Sequence, residues 1–264
     1  MKYMYLFLSF FMLFSCGQYR TYQKVVKSQD PEFKYSQAVN YYENEDYARS
    51  LQLFEDLLVS FKNSERAEDI YYRYIYCNYH MKDYMSAAYH AKNFSSKFIL
   101  SSKKEEIEFV IAMCYYLDSS RYNLDQKSTY KAINELQLFI DKYPKTEKID
   151  QINSLILELN QKLEKKHFEI AKLYYETGKF QAAISAIDNY LEDFPETSFL
   201  ETINFIQIQS YYQLGKNSVD EKKAQRIKEA IFACNNYLIT FPSGEYEEDA
   251  KVIYEKLKGI QNGL

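Results

Sequence analysis

Cys16 stands where its neighbours prescribe chemistry on a thiol. Lys2 gives a positive start, Tyr3 to Phe14 form an apolar run too short to span a bilayer, and Ser15 puts a small residue directly before the cysteine. That order fits export, cleavage before Cys16 and lipidation of that cysteine; an ordinary secretory signal with an incidental cysteine is the weaker reading. No other reactive group has such support. His80, His90 and His167 are far apart and lack metal-ligand spacings such as H-E-x-x-H, there is no nucleophile elbow, and 6 glycines in 264 residues supply no phosphate-binding loop. Cys77, Cys114 and Cys234 fall in helical stretches and are odd in number once Cys16 is set aside, which argues against a disulfide framework. They read as small buried residues. The expectation is a non-enzyme with no cofactor and no metal.

The other residues with recognition potential are aromatic. The chain has 28 Tyr and 18 Phe but no Trp, and stripes of three recur at offsets of three and seven, which keeps each stripe on one helical face. The stripes are Tyr35/Ala38/Tyr42, Tyr72/Ile75/Tyr79, Phe109/Ala112/Tyr116, Phe168/Ala171/Tyr175 and Phe205/Ile208/Tyr212. Tyr35, Tyr42, Tyr72, Tyr76 and Tyr79 would line the concave wall of the first two repeats and offer ring faces and hydroxyls to an extended peptide. Positions that recur in every repeat read first as packing residues. Tyr76 differs, because its counterparts are Val39, Met113, Lys172 and Gln209, and a position that varies is the better candidate for binding. Tyr71, Tyr74 and Tyr76 cannot share one helical face, so at least one is expected to be exposed.

These stripes must be carried by helices. A small residue is followed eleven positions later by a terminal aromatic at Ser50/Phe61, Ala87/Phe98, Ala132/Tyr143, Ala183/Phe194 and Ala230/Phe241, and three residues on come Ser64, Ser101, Thr146, Thr197 and Gly244. Pro144, Pro195 and Pro242 directly follow the terminal aromatic in three cases and stop the helix there. Stacked helical hairpins follow, at about 31–63, 64–100, 101–145, 146–196 and 197–243, with a closing helix at 245–261. Residues 1–15 read as signal peptide, 16–30 as a lipidated polar tether, and Asp30-Pro31 as a helix start. Longer connections are expected at Leu117–Ser128 and Gln213–Arg226. An unbroken apolar pattern from Thr146 to Glu176 predicts one helix of roughly 45 Å that holds the two halves in a fixed relation. The lysines Lys162, Lys165 and Lys166 and the acids Glu245, Glu247, Glu248 and Asp249 read as solvated helix faces or helix-end charges. A net charge of −4 lacks the basic excess expected of a nucleic-acid binder.

The segment Ala171-Lys172-Leu173-Tyr174-Tyr175-Glu176-Thr177-Gly178-Lys179-Phe180-Gln181-Ala182-Ala183-Ile184 resembles a tetratricopeptide repeat, and Leu13-Phe14-Ser15-Cys16 resembles a bacterial lipobox. With five repeats in phase, the extended third repeat (Asp125-Gln126, Thr129, Ala132, Phe139, Tyr143-Pro144) and the long helix leading into Tyr174-Tyr175-Glu176, the chain resembles the BamD family of outer-membrane assembly lipoproteins. The resemblance implies an all-α, right-handed solenoid of about five helical hairpins. It implies a lipid anchor in the outer membrane, facing the periplasm, with Gly17 and Gln18 after the cysteine in keeping with that address. It further implies docking on the periplasmic domains of the barrel-forming assembly protein and on other assembly lipoproteins, and delivery of unfolded outer-membrane proteins. By the same resemblance, repeats three to five hold the assembly protein and repeats one and two receive substrate. A periplasmic repeat lipoprotein for cell-wall or glycan-uptake work is the alternative, disfavoured weakly by the lack of Trp platforms.

Overall fold

The computed structural model describes residues 20–264. Cys16 and the signal segment 1–15 lie outside them. Among the described residues there is no strand; eleven helices of thirteen residues or more follow a short helical segment at 20–26. They are α1 (Pro31–Glu43), α2 (Tyr47–Ser60), α3 (Ala67–His80), α4 (Tyr84–Lys97), α5 (Lys104–Leu117), α6 (Lys127–Lys142), α7 (Ile149–Glu176), α8 (Phe180–Asp193), α9 (Leu200–Lys216), α10 (Asp220–Thr240) and α11 (Glu247–Asn262). The chain divides into two compact units. One holds the residues up to Ser120 together with Asp125–Ile156, the other Arg121–Leu124 together with Leu157–Leu264.

Local physics explains the recurring interval. The small residues Ser50, Ala87, Ala132, Ala183 and Ala230 are all fully buried, where the helices of a hairpin touch. Ser50 keeps its hydroxyl satisfied there by donating to the Ala38 carbonyl at 2.9 Å. Each terminal aromatic caps its helix by donating its N–H four residues back, as Phe98 does to Phe94 and Phe194 to Tyr190. Three residues later the chain turns: Ser64, Ser101, Thr146, Thr197 and Gly244 donate their N–H to the carbonyl of that aromatic.

A second recurrence ties successive hairpins together. Four residues before the first aromatic of the stripe, helices α3, α5, α7 and α9 carry Glu68, Glu105, Glu164 and Glu201. The first three accept hydrogen bonds from the turn hydroxyls of the next hairpin, Ser101 at 2.7 Å, Thr146 at 2.7 Å and Thr197 at 2.5 Å. In the last case the turn residue is Gly244, and Glu201 accepts from Tyr237 Oη at 3.0 Å and Tyr246 N–H at 3.3 Å. A Cβ on Gly244 would lie 2.0 Å from the Glu201 carboxylate, so with any other residue there the flexible end of Glu201 would have to shift from this position. In α1 that position is Pro31, and Ser64 instead donates to the Phe61 carbonyl.

Asp30 caps α1 with its carboxylate on the N–H groups of Glu32 and Phe33, with proline in the first turn. Pro144, Pro195 and Pro242 follow the caps Tyr143, Phe194 and Phe241. The long helix is Ile149–Glu176, 28 residues, and Cys77, Cys114 and Cys234 are buried free thiols.

Three expectations need correction. The segment assigned to a polar tether is helical at 20–26, with Tyr22 and Val25 buried against Ala38, Leu53 and Phe54; apolar spacing, not overall polarity, decides its state. Gln213–Arg226 is no long connection, since α9 runs to Lys216 and α10 starts at Asp220. Its surplus residues lengthen the two helices instead. Lys166 is more than a solvated charge: its Nζ donates to the carbonyls of Tyr122 and Leu124 at 3.3 and 2.6 Å, while Lys165 is exposed as expected and lies 4.6 Å from the Tyr122 ring centre.

Candidate functional site

The five tyrosines singled out by sequence lie on α1 and α3; one network of hydrogen bonds, ion pairs and cation–ring contacts joins Tyr35, Tyr42, Tyr72 and Tyr76, and Tyr79 adjoins it by ring contact. Tyr35 on α1 donates its hydroxyl to Asp69 on α3 at 2.9 Å. Arg73, one turn along α3, pairs with the same carboxylate at 2.9 Å and lies 5.1 Å from the Tyr42 ring centre. Lys103 is 3.6 Å from Asp69 and 4.2 Å from the ring centre of Tyr72. Tyr72 and Tyr76 both donate to Glu106 of α5, at 2.7 and 2.5 Å. Their rings are 4.8 Å apart, and Tyr79 continues the row 6.2 Å from Tyr76. His80 lies 6.0 Å from Tyr76 and stacks on Tyr47 at 4.4 Å.

Each ring is half-buried. The expectation that at least one of Tyr71, Tyr74 and Tyr76 stands exposed is overturned: Tyr74 is buried and the other two are half-buried. The reason is that α3 has neighbours on several sides. Tyr71 turns toward α4, against His90 and Phe94, while Tyr76 turns toward Glu106. With the hydroxyls of Tyr35, Tyr72 and Tyr76 committed to carboxylates, these residues present ring faces and edges to a partner.

Electrostatics follow from this burial. Burial alone would raise the Asp69 carboxyl, but hydrogen bonds from Tyr35 and Arg73 and the charges of Arg73 and Lys103 outweigh it and hold it below the ordinary carboxylate value. Burial pushes the Tyr42 phenol up to about 12. Burial and the Glu106 carboxylate raise Tyr72 and Tyr76 still further. All five phenols are therefore neutral donors at neutral pH.

Asp69, Arg73, Lys103 and Glu106 were not picked out from sequence. Asp69 and Arg73 have the spacing of a helical ion pair, so that part was available. Lys103 and Glu106 come from the next hairpin and needed the fold. Among the described residues no group of three or more His, Cys, Asp or Glu could hold a metal ion, and no helix is long and apolar enough to cross a membrane.

The family model YfiO, described as outer membrane lipoprotein, matches residues 27–227. The outer membrane protein assembly factor BamD of Caulobacter vibrioides is 26% identical over 142 residues, which is 54% of this chain and 47% of that protein. The match thus spans about half the length of the relative. Among solved structures, the TPR2AB domain of yeast Sti1, in a complex described as TPR2AB-domain:pHSP90, aligns over 86% of this chain and 98% of its own with a TM-score of 0.41 and 11% identity. A putative kinesin light chain from Podosopora anserina with nearly identical TPR-like repeats aligns over 89% and 97%, with a TM-score of 0.34 and 12% identity.

Proposed function

The chain belongs to the YfiO family of outer membrane lipoproteins, and from that premise we propose that it is a lipid-anchored, periplasm-facing scaffold of outer-membrane β-barrel assembly, binding the barrel-forming assembly protein and unfolded substrate. The observation that carries the reading is the family match over residues 27–227; the name of the Caulobacter relative, an assembly factor, supports it. Cys16 would hold the anchor. The task asked of the folded part is to bind chains without reacting with them, and nothing in the tyrosine network calls for catalysis.

The α1–α3 network is the site assigned to substrate. An unfolded barrel segment is extended, and its aromatic side chains alternate with polar ones. Half-buried tyrosine rings held rigid by Asp69 and Glu106 give such a segment flat apolar faces at little entropic cost. The face assigned to the assembly protein lies in the third to fifth hairpins, with the short α9–α10 connection Asn217–Val219 as its probe.

A photo-crosslinking residue placed in living cells at Tyr76, and separately at Ser218, tests the division. Adducts to nascent barrel proteins from Tyr76 and to the assembly protein from Ser218 are expected. The same adduct from both positions, or none from Tyr76, refutes it. Radioactive palmitate incorporation tests the anchor: wild type should label and Cys16→Ser should not.

A further inference from the structure

The helical segment at 20–26 has two faces of opposite character. Tyr22 and Val25 are 6% and 2% exposed and sit in the core of the first hairpin. The Tyr22 hydroxyl donates to Gln52 Oε1 at 2.6 Å, and its ring meets Tyr41 edge-on at 5.6 Å. Arg20, Lys24 and Lys27 are all exposed. Their offsets of four and three put them on one side of the helix, opposite Tyr22 and Val25. Lys27 keeps the helical register, its N–H donating to the Gln23 carbonyl at 3.2 Å.

The charge of this face is undiluted. Between Cys16 and Asp30 the only charged residues are Arg20, Lys24 and Lys27, although the whole chain carries a net −4. The acids whose charge acts on Tyr22, Asp46 at the N-cap of α2 and Asp56 within it, are engaged elsewhere, Asp46 with Arg49 at 2.6 Å and Asp56 with Lys34 at 3.0 Å. Three cations are thus held outward by a helix whose other side is locked into the core.

We propose that the Arg20/Lys24/Lys27 face docks on anionic phospholipid headgroups and seats the first hairpin against the bilayer. The proposal rests on the lipid-anchored reading, because Cys16 precedes Arg20 by only four residues and would hold this face at the membrane. Four extended residues reach at most about 14 Å, and the helix adds roughly 10 Å from Arg20 to Lys27. A helix lying flat keeps all three cations within the order of a Debye length, about 10 Å, of the surface. Acyl chains supply the anchorage and the basic face fixes orientation, a division of two signals that membrane-bound proteins use.

The test uses the intact lipoprotein reconstituted into vesicles of pure phosphatidylcholine or of phosphatidylcholine with roughly one quarter phosphatidylglycerol, followed by amine labelling read by mass spectrometry. Each basic residue at an anionic surface is worth roughly fivefold in bound population. Labelling of Lys24 and Lys27 should therefore fall by the order of tenfold or more on anionic vesicles and recover in high salt. Arg20→Gln should weaken the protection of both lysines roughly fivefold. Equal labelling on the two vesicles, or protection indifferent to salt, overturns the proposal. Protection found in native membranes but absent from phosphatidylglycerol vesicles assigns the face to an acidic protein and also overturns it. The mass of the peptide that begins at Cys16 reports acylation in the same sample, so failure of the anchor is seen separately from failure of the basic face.

Discussion

Helices α3 and α9 hold the same place in their hairpins but are finished differently. The middle stripe residues, Ile75 and Ile208, are both buried. At the first stripe position Tyr72 sends a hydroxyl to Glu106, whereas Phe205 stacks flat on Tyr246 at 4.5 Å and 9° and stays in the core. One turn on from that position, Tyr76 of α3 shares the Glu106 carboxylate, while α9 has Gln209. Recurring positions are held alike by packing in both regions. The polar-aromatic face is completed where one region departs from the shared pattern, at Tyr76, and that departure is what marks it as the candidate site.

The largest effect should be common to both regions. Ala87→Leu and Ala183→Leu each add methylenes at a fully buried contact and should each cost about 1–3 kcal/mol. Urea unfolding followed by circular dichroism measures this, and a tolerant site would mean that its helices do not meet there. A smaller effect should be confined to the first region. Glu106→Ala removes the acceptor for Tyr72 and Tyr76, and because Glu106 is exposed the loss should be about 1 kcal/mol. Its binding consequence should exceed its stability consequence: affinity for a peptide from a barrel's carboxyl-terminal strand should drop, as it should for Tyr76→Ala, while the assembly protein stays bound.

Alkali again treats the regions alike, and acid separates them. Tyr42 in the first and Tyr190 in the second are raised by burial to about 12. A phenol raised in the folded state contributes stability that is complete below the unfolded value of about 10 and is lost as pH climbs through about 12. Both regions should therefore loosen in that window, followed by the ultraviolet absorbance of phenolate. Asp69 runs the other way. Its folded value is depressed, so its contribution is present above the unfolded value near 4 and is lost as pH falls through the folded one. Asp69→Asn should flatten the acid limb of the stability profile, a change that Asp188→Asn should not reproduce, because burial raises that carboxyl.

Much of the scaffold could be read directly. The Ser50/Phe61-type interval, the Asp30-Pro31 start and the proline stops are local, so the chain states them without its fold. The Glu68–Ser101 type of link was equally present, four residues before four of the five stripes, but a recurring acid looks like a solvated charge until its partner is seen. Tyr76 shows the opposite limit. Its variability marked it, yet its half-burial depends on Glu106, thirty residues away, and spacing within one helix cannot report that. Helix 20–26 was missed because seven residues give too short a period to stand out beside the composition of their surroundings.

The smallest effect concerns the turns within hairpins, where the two regions use different residues for one backbone. Glu45, Lys82 and Gly178 each follow a stripe's last tyrosine by three positions and have φ of 60°, 65° and 73°. In each turn the following residue donates its N–H five residues back: Asp46 to Tyr41, Asp83 to Asn78 and Lys179 to Tyr174. This is the left-handed helix-stop geometry that glycine adopts without strain and a side chain resists. Glycine at 82 removes that strain but loosens the unfolded chain, so Lys82→Gly should gain only about 0.5 kcal/mol. A Cβ at 178 would meet nothing within 4 Å. Gly178→Lys should therefore cost about 1 kcal/mol from backbone strain alone, with no steric contribution. Thermal melts of the two single variants decide it: opposite signs show that the turns share one conformation, and a stabilising Gly178→Lys would show that the second region does not need the left-handed turn.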